Sequence, residues 1–174
     1  MTLPKLLITD IDGVWTDGGM YYDNLGNEWK KFNTSDSAGV LFLKILEIPL
    51  AIITGEDTEI LRRRAQKLKV DYLYMGIRDK IGVARRLCQE MGISLKEAAY
   101  IGDDINDILL FNEVGYSGSP SNAPDYIKKI TNVVIDKKGG EGAFRAFIEH
   151  ILVENNLMDT VLKKYLDDGS KFNQ

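Results

Sequence analysis

One cysteine and one histidine among 174 residues remove most of the usual catalytic repertoires at the outset. A lone Cys88 forms no intrachain disulfide, and with His150 it cannot complete the common four-ligand zinc site. Serine-type triads need a histidine base, and His150 stands inside Ala143–Leu152, which reads as a helix carrying an exposed or hydrogen-bonded imidazole. Cys88 shares a helical face with Ala84, Leu87 and Met91, the pattern of a buried structural thiol. No apolar run approaches the ~20 residues that cross a bilayer. No basic-then-apolar leader opens the sequence, so a cytoplasmic location is expected. Positive charge is not in excess either: 22 Lys and Arg against 26 Asp and Glu leave a net charge of −4, which makes no electrostatic case for nucleic acid or an anionic membrane. Carboxylates and lysine are left to carry any chemistry.

What is present is ordinary globular material, 44% hydrophobic and 28% charged, enough for a single domain spanning 1–174 with a real core. Within it, Leu6-Leu7-Ile8-Thr9-Asp10-Ile11-Asp12-Gly13-Val14 runs from an apolar strand into two carboxylates. Residues i and i+2 of an extended chain point the same way, so Asp10 and Asp12 are expected to face one site. Two like charges so close call for a cation between them, or for one to hold a proton. A Mg²⁺ site, a nucleophile beside an acid/base, or both would satisfy that, while a plain polar turn after a strand is the bland alternative.

Two further apolar strands end in polar clusters. Leu50–Thr54 runs into Gly55, and Ala98–Ile101 runs into Gly102-Asp103-Asp104-Ile105-Asn106-Asp107. Lys80 opens a helical pattern between them. In an open parallel sheet, ligands bind beyond the carboxyl ends of the strands, which is where each cluster falls. Strand patterns at Lys5–Thr9, Leu50–Thr54, Tyr72–Met75, Ala99–Ile101, Tyr116–Ser117 and Val133–Ile135 alternate with helical ones at 38–46, 58–68, 80–91, 95–97, 105–112, 124–130 and 143–154. That alternation predicts an α/β fold, a Rossmann-like three-layer parallel sheet. A β-hairpin insertion over about 18–34 interrupts it after the first strand, with an Asn/Gly turn at Asn24–Asn27. Ser94 with Glu97 reads as a capping box, and 167–174 as a mobile polar tail.

DxDGV, then Thr-Gly, then a lone Lys, then GDDxND resembles the ordered signature of haloacid-dehalogenase-superfamily phosphatases. With only a hairpin at one cap position and Tyr74–Lys80 leaving no room at the other, the chain resembles the capless sugar-acid phosphatase subclass. TDGG, Tyr21-Tyr22 and Gly139-Gly140-Glu141-Gly142-Ala143 extend the likeness to the C-terminal helix. The resemblance implies Asp10 as nucleophile, Asp12 as acid/base, and Mg²⁺ held by Asp10, the Asp12 carbonyl and Asp103. It implies phosphate binding by Thr54, Gly55, Lys80 and Asn106, with Asp104 and Asp107 in support. In that subclass the hairpins join four subunits, so a homotetramer is expected here, with neighbouring subunits closing the site. Tyr21, Tyr22, Trp29 and Phe32 are more than a two-stranded ribbon buries alone.

A response-regulator receiver also gathers acids, a Thr and a Lys at strand ends. Its phosphorylated Asp belongs to a middle strand with Thr and Lys after it, whereas here the DxD comes first and the acidic pair follows the Lys. Substrate contacts are expected from Thr34, Ser35, Asp36, Ser37 and Ala38, where helix capping is the alternative. The octulosonate members usually carry Arg-Asp-Gly there, and an Arg after Thr-Gly where this chain has Glu56. Arg64 and Lys67, three apart on the next helix, would supply the displaced charge. On that swap the expected substrate is a nine-carbon acid, 2-keto-3-deoxynononate 9-phosphate. The eight-carbon 3-deoxy-D-manno-octulosonate 8-phosphate is the alternative, followed by N-acetylneuraminate 9-phosphate.

Overall fold

The computed structural model describes residues 2–168. The chain opens with β1 (Leu6–Thr9), then the ribbon β2 (Tyr21–Tyr22) and β3 (Glu28–Trp29), then α1 (Asp36–Ile45). Strand and helix then alternate through β4 (Leu50–Ile53), α2 (Glu59–Leu68), β5 (Tyr72–Tyr74), α3 (Lys80–Glu90), β6 (Ala98–Ile101) and α4 (Ile108–Glu113). Next come β7 (Tyr116–Pro120), α5 (Asp125–Lys128), β8 (Val133–Ile135), α6 (Ala143–Glu154) and α7 (Met158–Asp168). Short 3₁₀ turns occupy Leu95–Glu97 and Ile105–Asp107. No described helix is long and apolar enough to cross a membrane.

Six strands pair in parallel in the order β5-β4-β1-β6-β7-β8. The chain winds outward from β1 in one direction and then in the other, so the crevice at the carboxyl ends of β1 and β6 is the topological switch point. Period-two alternation splits the strands between two layers. Leu7, Leu50, Ile52, Ala99 and Ile101 pack on α1, α2, α6 and α7, whereas Leu6, Ile8, Ala51, Ile53 and Tyr100 pack on α3, α4 and α5. Both faces being covered explains why the central strands are continuous apolar runs. Cys88 is buried in the second layer as expected, and the Tyr116 hydroxyl lies 2.7 Å from His150 Nε2. The Ser94–Glu97 capping box is formed.

Three departures from the sequence pattern have physical causes. The strand read as Tyr116–Ser117 continues to Pro120. Small residues there mask a buried strand, because a β-carbon on Gly118 would sit 2.5 Å from the Phe147 ring. α1 begins at Asp36, ahead of Ala38. α7 has no counterpart among the predicted helices, since of its apolar residues Val161 is buried while Leu162, Tyr165 and Leu166 face outward. Asp167 and Asp168 close that helix, and the rest of the expected tail lies outside the described residues.

The hairpin is formed, with Tyr21 opposite Trp29 and Tyr22 opposite Glu28. Phe32 bridges back to Thr16 and packs against the core, so it is not part of the exposed aromatic set. Met20, Tyr22, Leu25 and Trp29 remain 75%, 60%, 87% and 51% exposed.

Trp15 and Phe144 stack at 4.2 Å between ring centroids, both fully buried where α6 meets the turn after β1. Phe144→Ala is expected to lower stability by about 3–5 kcal/mol through lost transfer energy and a cavity. Urea unfolding followed by tryptophan fluorescence measures it; a loss under about 1 kcal/mol would mean that this contact contributes little.

Candidate active site

β1 delivers Asp10 at its carboxyl end. The Asp10 N–H donates to the Ile101 carbonyl at 3.0 Å, the last backbone tie to β6. Below it, the Trp15 indole donates to Thr9 Oγ1 at 3.0 Å, and that hydroxyl donates to the Asp10 carbonyl at 2.6 Å. The chain then turns tightly, with the amides of Val14, Trp15 and Thr16 all donating to the Ile11 carbonyl. Asp12 therefore reaches the opening from a turn, because strand pairing stops at Thr9. The two carboxylates line one cleft, as expected, but turn geometry rather than the pleat brings them there. Gly13, at φ +77°, makes the turn feasible. A β-carbon there would lie 1.8 Å from Asp103 Oδ2, so any side chain would displace that carboxylate.

Lys80, the first residue of α3, places its ammonium at the centre of the site with 2% of the residue exposed. Its Nζ lies 2.8 Å from Asp10 Oδ2 and 2.6 Å from Asp107 Oδ1. Asp107 is saturated: the Tyr100 hydroxyl also donates to Oδ1, and the amides of Asp103 and Asp104 donate to Oδ2 at 2.9 and 3.1 Å. Opposing effects act on Asp10. Burial raises its pKa and Lys80 pulls it back, leaving it at about 6. Asp103 is pushed to about 8, first by burial and then by the charges of Asp10, Asp107 and Asp104. Asp104 itself is exposed and accepts from the Ile105 amide at 2.7 Å as a cap.

A cation fits this arrangement. Carboxylate oxygens of Asp10, Asp103 and Asp107 lie within 4.8 Å of one another, a cluster of like charge that the single ammonium of Lys80 does not balance. Hard oxygen donors of that kind suit Mg²⁺. Since both Asp107 oxygens are already engaged, Asp10 and Asp103 are the pair free to ligate.

The cleft encloses about 300 Å³ and is also lined by Thr54, Gly55, Glu56 and Asn106. The loop at 34–38 and α2 behave differently. Asp36 is fully buried and accepts from the Arg145 amide of α6 at 3.0 Å, with desolvation raising its pKa to about 6. Arg64 donates to the Asn33 carbonyl at 3.4 Å and to Ser37 Oγ at 3.2 Å, and stands 5.7 Å over the Phe32 ring. Lys67 is exposed on α2. Thr34, Ser35, Asp36, Ser37, Ala38, Arg64 and Lys67 are thus not among the residues this subunit brings to its own cleft. Two residues that no motif announced are there instead. Lys30 donates to Asp12 Oδ1 at 2.8 Å, and Glu28 lies 3.8 Å from the same ammonium. Their i, i+2 spacing on either side of Trp29 was the signal, since one face of the hairpin strand had to look inward.

Residues 76–147 match the family model of haloacid dehalogenase-like hydrolases. The chain is 37% identical over 148 residues to the 3-deoxy-D-manno-octulosonate 8-phosphate phosphatase KdsC of Haemophilus influenzae, covering 85% of this chain and 82% of that one. Two solved structures share the fold. One is the Moraxella catarrhalis 3-deoxy-D-manno-octulosonate 8-phosphate phosphatase in complex with magnesium, phosphate and KDO, at 34% identity and TM-score 0.88, covering 93% of each chain. The other is the cobalt-bound YrbI phosphatase of H. influenzae, at 35% identity and TM-score 0.85, covering 94% of this chain and 96% of that one. With these relatives and the DxD, Thr-Gly, Lys and GDDxND motifs gathered at the carboxyl end of the sheet, the chain belongs to the haloacid dehalogenase superfamily, among its capless sugar-acid phosphatases.

Proposed function

We propose that this Mg²⁺-dependent phosphatase transfers the phosphoryl group of a keto-deoxy sugar acid to Asp10 and then to water. The observation that carries the assignment is the asymmetry of Asp10: Lys80 pins Oδ2 at 2.8 Å while buried Oδ1 has no partner. Oδ1 attacks phosphorus as the bond to the sugar oxygen breaks, and Asp12 gives that oxygen its proton. Asp12 then takes a proton from water, whose oxygen displaces the Asp10 carboxylate from phosphorus. Lys80, the Thr54 hydroxyl, Gly55 and Asn106 hold the non-reacting phosphate oxygens. Asp10, Asp103 and the Asp12 carbonyl would hold Mg²⁺, whose charge would offset the repulsion between phosphate and carboxylates.

The relatives support 3-deoxy-D-manno-octulosonate 8-phosphate as substrate, in preference to the nine-carbon acid that Glu56 suggested. One observation still favours 2-keto-3-deoxynononate 9-phosphate. Glu56 lines the cleft as an anion where the octulosonate members carry a cation, and a carboxylate there accepts hydrogen bonds from sugar hydroxyls. Comparing kcat/KM for the two acids and N-acetylneuraminate 9-phosphate, in wild type and Glu56→Ala, separates these readings. The octulosonate is expected to lead; a lead for the nononate that Glu56→Ala abolishes would reverse the order. Asp10→Asn is expected to release no measurable phosphate from any of them, and wild-type turnover would refute the nucleophile assignment.

Linkage gives a second test. Asp10 and Asp103 hold their protons to about pH 6 and about pH 8 in the folded, metal-free chain, whereas an unfolded Asp releases its proton near ~4. The native state therefore binds more protons across that window, and metal-free stability falls as pH rises through it. Mg²⁺ binds the ionised carboxylates, so its stabilisation grows over the same range. The expected result is a larger Mg²⁺-induced rise in Tm at pH 8 than at pH 5; equal rises at both would count against this ligand set.

We further infer a homotetramer built through the hairpin, because Met20, Leu25 and Trp29 are spread along it at 75%, 87% and 51% exposure. A neighbour seated there would also explain why the 34–38 loop and α2 carry polar residues away from their own cleft. Light scattering is expected to give about four times the 19.6 kDa subunit mass, whereas a monomeric mass at full activity would exclude it.

A further inference from the structure

Among the described residues, Lys30 is the one lysine or arginine besides Lys80 that reaches the cleft, and the proposed mechanism leaves it without a task. It comes from the hairpin, 8% of its side chain is exposed, and its ammonium donates to Asp12 Oδ1 at 2.8 Å. Glu28, two residues earlier at the start of β3, flanks it at 3.8 Å. The Thr16 hydroxyl donates to the same Asp12 oxygen at 3.1 Å. Asp12 is therefore held from one side only. Oδ1 has two donors, while Oδ2 is buried without a partner.

We propose that Lys30 is the positioning residue for Asp12, fixing Oδ1 together with Thr16 so that Oδ2 is the oxygen presented to the leaving sugar oxygen. This rests on the acid–base role proposed for Asp12 and extends it to a second element of the fold. A carboxyl group free to rotate about its Cβ–Cγ bond interchanges its two oxygens, and proton transfer needs one of them within hydrogen-bond reach of the bridging oxygen. Two donors on Oδ1 remove that rotation. The same ammonium stands beside the carboxylate left after the proton has gone, so it serves both halves of the cycle. It also means that the hairpin orients the chemistry as well as forming a wall of the cleft.

The simpler alternative is an ion pair that tethers the hairpin. Leaving-group chemistry distinguishes the two. The alkoxide of a sugar phosphate is strongly basic and must be protonated as it departs, whereas p-nitrophenolate leaves without a proton. The ratio of kcat/KM for 3-deoxy-D-manno-octulosonate 8-phosphate to that for p-nitrophenyl phosphate isolates this demand. Both constants end at phosphoryl transfer to Asp10, so the later attack of water does not enter. Lys30→Met is expected to lower the ratio at least about ten-fold, within the range of a general-acid contribution, and Lys30→Arg to recover most of it. Asp12→Asn is the reference and is expected to lower the ratio at least as far. If Asp12→Asn collapses the ratio and Lys30→Met leaves it at the wild-type value, Lys30 is a tether and the proposal is overturned. If Asp12→Asn itself leaves the ratio unmoved, the acid–base assignment has failed and the proposal falls with it. Lys30→Gln, similar in length and uncharged, is read in the same way should the methionine variant not fold.

Discussion

Lys80 puts one ammonium, 2.8 Å from Asp10 and 2.6 Å from Asp107, into a pocket where Asp103 is a further carboxylate with a pKa pushed to about 8. Without that cation, burying three carboxylates within 4.8 Å of one another would cost several kcal/mol per uncompensated charge. The pairing also has a direction. By engaging Asp10 through one oxygen, Lys80 leaves the other buried without a partner, and by engaging Asp107 it fixes the loop whose amides at Asp103 and Asp104 donate to that same residue. A group that stabilises the acidic cluster thereby also sets Asp107, with both oxygens engaged, apart from Asp10, which keeps one free.

The rest of the molecule keeps that ammonium in place. Asp79 caps α3 by accepting from the Gly82 amide at 3.0 Å, so Lys80 begins a helix whose buried face lies on the sheet. Tyr100, fully buried on β6, donates its hydroxyl to Asp107 and so satisfies a polar tip in an otherwise apolar layer. On the opposite layer, Trp15 reaches through Thr9 to the carbonyl of Asp10. Core packing on both faces of β1 is thus connected by hydrogen bonds to Asp10. A loosened core would reach the chemistry through those bonds before it reached global unfolding.

Much of this was legible in the chain because apolar runs ending in acids, a Thr-Gly and a Lys are local patterns tied to strand ends. Asp10, Asp12, Thr54, Lys80, Asp103 and Asp107 all converge where the alternation of strands and helices said they would. What was not legible depends on long-range or single-residue geometry. Asp36 looks like a ligand-facing loop acid, yet its partner is the amide of Arg145 on α6, which no spacing announces. Arg64 shares a helical face with Lys67 as read, but the guanidinium turns to Asn33 and Ser37, because Phe32 offers it an aromatic face. The spacing of Glu28 and Lys30 puts them on one face, but a charge on a short ribbon is usually solvated. The tertiary placement of the hairpin over the cleft shows that this face is an inner wall. The strand at Tyr116–Pro120 is masked in the sequence by Gly118, whose small size answers to Phe147 rather than to strand propensity.

The position of β1 has a consequence for how the molecule is made. Leu7 pairs with Leu50 on one side and with Ala99 on the other, so the strand that leads into Asp10 is synthesised long before its second neighbour. Until β6 appears, Leu6, Leu7 and Ile8 have one open edge of unpaired backbone and no finished layer on either face. Such parallel, non-local pairing is slow to close and leaves sticky intermediates in the interval. During synthesis β1 is therefore also a stretch in need of protection from neighbouring chains.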